Sequence, residues 1–262
     1  MICRSLWALA LTCLTVSLFA QYDMPKMGEF PAEELSMTTY EPYPEAGAVV
    51  MEEYAETRVN FGMDSGESTQ KIYRRIKILD KNEFDRGNVK LHYYSHQNYR
   101  GLTQPKAQIT QPDGTVIEVD VKKEGFREQL SDYTSTLSFS YPDVQVGSIL
   151  EYSYLLKSPD LTPNGWSFHD DIPTKTSVLE IKAPIIVDFV ALLYCSRIES
   201  RDKQKSATVV HIKNDPNLVG KPHFLPATEE GQFVVGENMP PLREVAYIST
   251  PRNYLSRIDF LA

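Results

Sequence analysis

Cysteine is scarce in this sequence, which argues against both a disulfide framework and a paired-cysteine metal site. The 262 residues contain three cysteines, and Cys3 and Cys13 lie within the first twenty residues. Cys195 is alone in the rest of the chain and has no partner for an internal disulfide. It ends an apolar run, residues 189–195, that lacks the basic neighbours of an activated thiol. We interpret Cys195 as a buried strand residue and expect the fold to depend on its hydrophobic core.

Positive charge is also in short supply. Lysine and arginine total 27 against 35 aspartates and glutamates, which gives a net charge of -8 and a pI near 5.2. Basic residues concentrate only at residues 71–75 and at Lys122–Lys123, and acidic residues follow both patches. Proteins that bind nucleic acid neutralise phosphates with clustered lysine and arginine. The composition therefore excludes nucleic acid as the default partner.

Long hydrophobic runs are absent except at the N-terminus. Residues 6–19 form a 14-residue apolar run after Arg4, and the small residue Ala20 precedes Gln21. This pattern is typical of a secretory signal, and the run is too short to span about 30 Å of hydrocarbon. We predict that residues 1–20 are a signal peptide removed near Ala20. The mature chain is then exported, to the periplasm, the cell surface or the medium, without a transmembrane span. A lipoprotein signal at Cys13 is the alternative.

Short strand patterns dominate the remainder of the chain. Residues 21–47 show no sustained period, and we interpret them as a lead-in segment. From residue 48 onwards, β-branched and aromatic runs alternate with turn residues. This pattern predicts an all-β fold over residues 48–262, an antiparallel β-sandwich with few short helices. Two stacked sub-sandwiches are the alternative arrangement. The predicted strands are 48–61, 71–79, 89–95, 177–182, 185–194, 207–213 and 232–235, and the possible short helices are 126–130 and 253–260.

Two hairpins are predicted from turn chemistry. Residues 106–111 and 115–119 flank Pro112, Asp113 and Gly114, which preset the backbone of a tight turn. A second hairpin pairs residues 136–141 with residues 148–157 around the turn at 143–147.

Motifs that carry chemistry are nearly missing. The sequence contains no P-loop, Gly-rich dinucleotide loop or nucleophile elbow. His92 and His96 fall in a strand pattern, which places them about 13 Å apart and too distant to share a metal. Tyr93, Tyr94 and Tyr99 can form an aromatic platform for peptide or glycan, but we favour packing, because tyrosine is common on half-buried strands. The most polar cluster beside an aromatic residue provides the low-ranking surface candidates, which are Trp166, His169, Asp170 and Asp171.

Five ordered segments resemble a known family. They are residues 106–118, with the Pro112-Asp113-Gly114 turn; 139–154, with Gly147 and Glu151; 166–173; 177–184; and 238–244 followed by 253–260. In order and spacing they are similar to the domain of unknown function found N-terminal to transglutaminase-like domains in secreted bacterial proteins. The resemblance extends from about residue 45 to the end of the chain.

The resemblance implies an accessory role. In the family, this domain usually precedes a transglutaminase-like core with a Cys, His and Asp triad, and Cys195 matches no nucleophile of that core. We therefore expect no catalytic residue and no cofactor or metal in this chain, which would support or position a transglutaminase-like partner in cis or in trans. A stand-alone module for peptide or glycan is the alternative. A metal hydrolase using His169 with Asp170 or Asp171 is a third hypothesis.

Overall fold

The computed structural model describes residues 22–61, 66–97, 99–159, 164–183, 190–195, 197–204, 207–213, 221–226, 232–241 and 257–261. Helices in these ranges are limited to α1 (Ala32–Ser36), α2 (Val121–Glu124) and a 3₁₀ helix at Lys81–Gly87. Within the described part of the chain, no helix has the length and apolar character needed to cross a membrane. Most of the described residues lie in strands, so the expected all-β fold with few short helices is confirmed.

The structure has seventeen strands within the described residues. In order they are β1 (Ala48–Phe61), β2 (Gly66–Ile78), β3 (Asn88–His96), β4 (Tyr99–Arg100), β5 (Leu102–Thr110), β6 (Val116–Val119), β7 (Phe126–Gln129), β8 (Thr134–Ser140), β9 (Ile149–Ser158), β10 (Trp166–Ser167), β11 (Thr174–Lys182), β12 (Val190–Cys195), β13 (Arg197–Gln204), β14 (Ala207–Lys213), β15 (Lys221–Pro226), β16 (Gln232–Met239) and β17 (Arg257–Leu261).

One nine-stranded sheet organises the molecule, in the order β13–β14–β16–β11–β1–β2–β9–β5–β6. The long strand β1 lies at its centre, antiparallel to β2 and parallel to β11. The pair β14 and β16 is also parallel, whereas the other neighbours in this sheet are antiparallel. Sheets of β4–β3–β8–β7 and β10–β17–β12–β15 complete the described strands.

A hydrophobic core fills the space between the large sheet and the β4–β3–β8–β7 sheet. Ile109 and Leu150 of the large sheet are fully buried, and they meet Leu91, Leu137 and Phe139 of the smaller sheet. The alternation of apolar side chains along these strands turns one face of each sheet toward the other. This sheet-on-sheet packing is the sandwich that the sequence predicts.

A second core cluster lies on the same large sheet, beneath β11, β14 and β16. Leu179, Val210 and Val234 are buried there, and the side chain of Phe168 is completely enclosed among them. Trp166 of β10 packs against the edge of this cluster. The segment between β10 and β11 is thereby anchored to the core by aromatic side chains.

The lead-in segment covers the opposite face of the large sheet. Its apolar side chains pack on the sheet in two groups, with Tyr22, Met24 and Met27 against one part, and Met37, Tyr40 and Tyr43 against another. Gly28 also donates its backbone N–H to both carboxylate oxygens of Glu151, each at 3.1 Å. As a result, β2 has buried side chains on both of its faces. One face carries Ile72 and Ile76 toward the core, and the other carries the buried polar residues Arg75 and Lys77.

Three expectations from the sequence are wrong. Residues 126–129 form strand β7 rather than a helix, because pairing with β8 satisfies backbone groups that one helical turn would leave open. Strands β8 and β9 are not a hairpin, since β8 pairs with β3 and β7 while β9 pairs with β2 and β5. Residues 141–148 instead cross from one layer to the other.

The second possible helix, predicted at residues 253–260, is a strand at Arg257–Leu261, and residues 253–256 lie outside the described residues.

The first predicted hairpin is confirmed together with its turn. β5 and β6 pair from Ala107 with Val119 to Thr110 with Val116. The Asp113 carboxylate accepts a hydrogen bond from the Thr115 backbone N–H at 2.8 Å, and Gly114 has a positive φ of 86°. These are the roles that the residue types predict at such a turn. The predicted signal peptide lies outside the described residues.

Candidate functional site

The stretch from β10 to the start of β11 contains all four candidate residues. Phe168 is buried in the core cluster beneath β11, β14 and β16, and Ile172 is buried in the core between the two sheets. These two contacts fix both ends of residues 169–171. His169, Asp170 and Asp171 lie between these two anchors. The packing of Phe168 and Ile172 therefore determines the directions of these three side chains. Each of the three side chains contacts a different part of the fold.

Trp166 is connected to a buried carboxylate. Its indole Nε1–H donates to Ser177 Oγ at 3.1 Å, and Ser177 Oγ donates to Glu53 Oε1 at 2.8 Å. Burial raises the pKa of Glu53, and the Arg74 guanidinium and the Ser177 hydroxyl offset part of this effect. The relay leaves Trp166 half-buried and joined to β1 and β11, an arrangement that stabilises the junction of these strands.

Asp170 and Asp171 bind two different arginines. Asp170 forms an ion pair with Arg74 of β2. Asp171 accepts two hydrogen bonds from Arg86, from Nη1 at 2.8 Å and from Nη2 at 2.7 Å. Hydrogen bonding from Arg86 lowers the pKa of Asp171, so this carboxylate is ionised at neutral pH. The adjacent acids thus connect the segment to β2 and to the end of the 3₁₀ helix, and they do not converge on a shared point.

His169 is buried and neutral. Its Nδ1–H donates to the backbone carbonyl of Pro240 at 2.9 Å, and only 7% of the residue is exposed. Burial lowers the pKa of His169, and the bond to Pro240 offsets part of this effect. Its Nε2 atom has no hydrogen-bond partner among the described residues. Because Nδ1 carries the proton in the neutral ring, Nε2 is a hydrogen-bond acceptor that receives no hydrogen bond from the described residues.

A cavity of about 370 Å³ opens beside these ion pairs. Its lining carries both signs of charge and includes Arg74, Asp85, Arg86, Lys90, Tyr152 and Asp170. Two of these basic residues, Arg74 and Arg86, are already bound to Asp170 and Asp171. Within the described residues, no three His, Cys, Asp or Glu side chains are grouped so that they could hold a metal ion.

The two histidines of β3 have separate surroundings, and the predicted strand is confirmed. His92 Nδ1 lies 2.9 Å from Thr136 Oγ1, whereas the His96 ring stacks on Tyr133 at 4.8 Å between ring centroids. Cys195 is the last residue of β12, where it pairs with Lys221 of β15, so its placement in a strand is also confirmed.

An exposed aromatic cluster, formed by Tyr94, His96, Tyr99 and Tyr133, lies at one end of β3. Tyr94 is 5.7 Å from Tyr99 and 6.3 Å from Tyr133 between ring centroids, and the exposed fractions of Tyr94 and Tyr133 are 39% and 57%. Tyr93 points the other way into the core, as alternation along a strand requires. The sequence reasoning found two of these residues, but it missed Tyr133 because the turn after β7 brings it in from a distance.

Comparisons with known proteins identify the class. The chain is an all-β sandwich domain, and residues 64–205 match the model of DUF3857, a domain of unknown function with a solved structure. The protein therefore belongs to the DUF3857 family. No curated protein matches the chain.

Two solved structures found by comparison belong to much longer proteins. A crystal structure described as "a putative protease" from Parabacteroides distasonis matches with a TM-score of 0.56 and 12% identity, over 82% of this chain and 40% of that protein. Native yeast LTA4 hydrolase matches with a TM-score of 0.32 and 12% identity, over 63% of this chain and 31% of that protein. The chain thus spans less than half the length of either protein.

Proposed function

We propose that this chain is an exported, non-catalytic domain that supports or positions a transglutaminase-like partner. The partner lies either in the same polypeptide or in a separate protein. The five sequence segments that resemble the domain found N-terminal to transglutaminase-like domains support this role, and membership of the DUF3857 family is compatible with that resemblance. The similar fold within a longer protein described as "a putative protease" is compatible with the same arrangement.

The observation that carries the proposal is the internal pairing of the candidate segment. The Asp170 and Asp171 carboxylates are bound to arginines of the same chain, and the Trp166 indole is bound to Ser177. A catalytic acid or base must reach a substrate proton, and a nucleophile needs an adjacent base. Side chains that are held in this way stabilise a rigid surface, which is what a supporting domain requires.

The experiment is an amide-hydrolysis assay on the purified chain. Wild type, Cys195→Ser and Asp171→Asn are compared on labelled casein and on peptide amides, with metal content measured on the same samples. We expect no turnover in any of the three proteins and no stoichiometric zinc or calcium. Amide hydrolysis by the wild type that disappears in Cys195→Ser would contradict a non-catalytic role. Stoichiometric metal that is lost in Asp171→Asn would favour the metal-hydrolase hypothesis.

The exposed aromatic cluster favours a second candidate function, binding of peptide or glycan. Tyrosine rings provide apolar surface together with a hydroxyl group that can form hydrogen bonds with a polar ligand. Titration with peptidoglycan fragments and with plant and host glycans tests this function. A saturable signal that Tyr133→Ser weakens about tenfold, and that the exposed control Phe84→Ser preserves, would support it. Equal signals from the wild type, Tyr133→Ser and Phe84→Ser would exclude the aromatic cluster as the binding site.

A further inference from the structure

A second and larger groove lies on the face of the large sheet that the lead-in segment partly covers. It has a volume of about 930 Å³, near the upper end of the range for ligand pockets. Its floor is formed by β2, β9 and β5. One wall is the lead-in at residues 24–27, and the other is the chain at residues 118–122, where β6 leads into α2. We call this feature the lysine groove.

The fold brings the two basic patches of the sequence together in this groove. Lys71 of β2 pairs in register with Leu155 of β9, and Lys106 of β5 pairs with Ser153 of β9. Since Ser153 and Leu155 are two residues apart on one strand, both lysines lie on the same face of the sheet. Lys122 of α2 joins them from the wall.

These three lysines lack counter-ions. Lys71, Lys106 and Lys122 are exposed, and none of their side chains forms an ion pair or a hydrogen bond with another described residue. Such a concentration of free positive charge is unusual on a chain with a net charge of -8. Like charges in one concave surface raise the local potential, and an anionic ligand would lower it.

The other residues that line the groove select among anionic ligands. Met24, Met27, Pro105 and Leu155 provide adaptable apolar surface of the kind that receives peptide side chains. Glu118 also lies among the lysines, so a continuous polyanion would meet repulsion within the groove. A ligand with separate negative charges and apolar groups between them fits this pattern better.

The aromatic residues of the groove do not favour sugars or bases. Tyr73 is 1% exposed, and its hydroxyl is bound to Glu151 at 2.6 Å. Tyr154 packs against the core on the other side of the sheet. Recognition of nucleic-acid bases depends on exposed aromatic faces. The lysine groove lacks such faces, in contrast to the cluster around Tyr133.

We propose that the lysine groove binds an extended acidic peptide segment of a partner protein. Its carboxylates pair with Lys71, Lys106 and Lys122, and its apolar side chains contact the methionines of the lead-in wall and the apolar residues of the floor. This inference does not depend on the accessory role, because it concerns a different surface and is tested with a different ligand.

Fluorescence anisotropy tests the proposal with defined peptides. The probe is a fluorescein-labelled peptide of about twelve residues, in which glutamates are spaced by serine and valine so that it can lie extended. A matched peptide has glutamine at each glutamate position. The protein variants are Lys71→Gln with Lys106→Gln, and the control Lys81→Gln with Lys90→Gln. All four lysines are exposed, and each double variant removes the same two charges.

We expect the acidic peptide to bind saturably and about tenfold more tightly than the glutamine peptide, with an affinity that falls as salt is raised. The groove variant should lose about tenfold in affinity, and the control should stay within about twofold of wild type. Equal binding of both peptides, equal losses in both variants, or no saturable binding would overturn the proposal. So would groove-dependent binding of heparin or anionic vesicles in the absence of peptide binding.

Discussion

Arg75 of β2 and Glu34 of α1 form an ion pair in which both side chains are almost completely buried. Arg75 Nε donates to Glu34 Oε2 at 2.9 Å, and the two side chains are 3% and 4% exposed. Arg75 also contacts Glu52 at 2.8 Å and Tyr73 at 3.0 Å. The lead-in segment is therefore joined to the sheet by desolvated charge as well as by apolar contact, and this determines where it lies.

Replacement of Glu34 tests this connection. Glu34→Gln leaves the buried Arg75 guanidinium with Glu52 as its remaining carboxylate, so we expect the free energy of unfolding to fall by about 3 kcal/mol. Glu33→Gln, on the exposed side of the same helix, should change it by less than about 0.5 kcal/mol. Urea unfolding of both variants gives the comparison. Similar values for the two would mean that the ion pair does not hold the lead-in.

Because the pKa of Lys77 is lowered in the folded protein, we expect the stability to rise at alkaline pH. Its side chain is buried and donates to the carbonyl oxygens of Leu35 and Gly147, and burial lowers its pKa from 10.5 to about 8. Between pH 8 and 10 the unfolded chain binds a proton that the native state has released, so stability rises with pH. Wild type should gain on the order of 2 kcal/mol relative to Lys77→Met across this window. Parallel pH profiles of the two proteins would contradict the lowered pKa.

Two glycines with positive φ should differ in their response to alanine. Gly114 has φ of 86° and open space around its Cα, so Gly114→Ala should cost about 1–2 kcal/mol from backbone strain alone. Gly147 has φ of 95°, and a Cβ there would lie 3.2 Å from Pro112 Cγ. Gly147→Ala should therefore cost more, about 3 kcal/mol. Thermal or urea unfolding checks the order, and the reverse order would exclude crowding by Pro112.

Because the pKa of His169 is lowered in the folded protein, we expect a loss of stability in mild acid. Burial lowers its pKa from the ordinary 6.5, so below that pH the unfolded chain takes up a proton that the native chain does not. Stability then falls as the pH falls through 6.5 toward the native pKa. His169→Asn keeps a donor for the Pro240 carbonyl but removes the titration. Its free energy of unfolding should change less than that of wild type between pH 7.5 and pH 5, and equal changes would mean that His169 titrates normally.

Local chemistry explains which parts of the fold are predictable from sequence. The bounds of β1 and β14 coincide with the predicted strands, and the turn at residues 112–114 forms as expected. Alternation along a strand and turn preferences both operate over a few residues. The second predicted hairpin failed because the choice of partner for β8 depends on packing between layers. Nothing near residue 141 in the sequence shows that choice.

Long-range contacts account for what the sequence does not reveal at the candidate sites. Asp170 binds Arg74 and Asp171 binds Arg86, and Arg86 is 85 residues away from Asp171 in the sequence. The lead-in segment shows no period because its contacts come from scattered residues, such as Gly28 with Glu151, 123 residues apart. The basic patches are each short, and only the order of strands β2, β9 and β5 unites them.

The central claim is that this domain works together with a transglutaminase-like partner. The most direct measurement is to isolate the protein from its native cells under mild cross-linking, and to determine its intact mass, its termini and its co-purifying polypeptides by mass spectrometry. We predict a terminus near Gln21 and a transglutaminase-like domain, either in the same polypeptide or cross-linked to it. A product that carries no such domain in cis and captures none in trans would contradict the account.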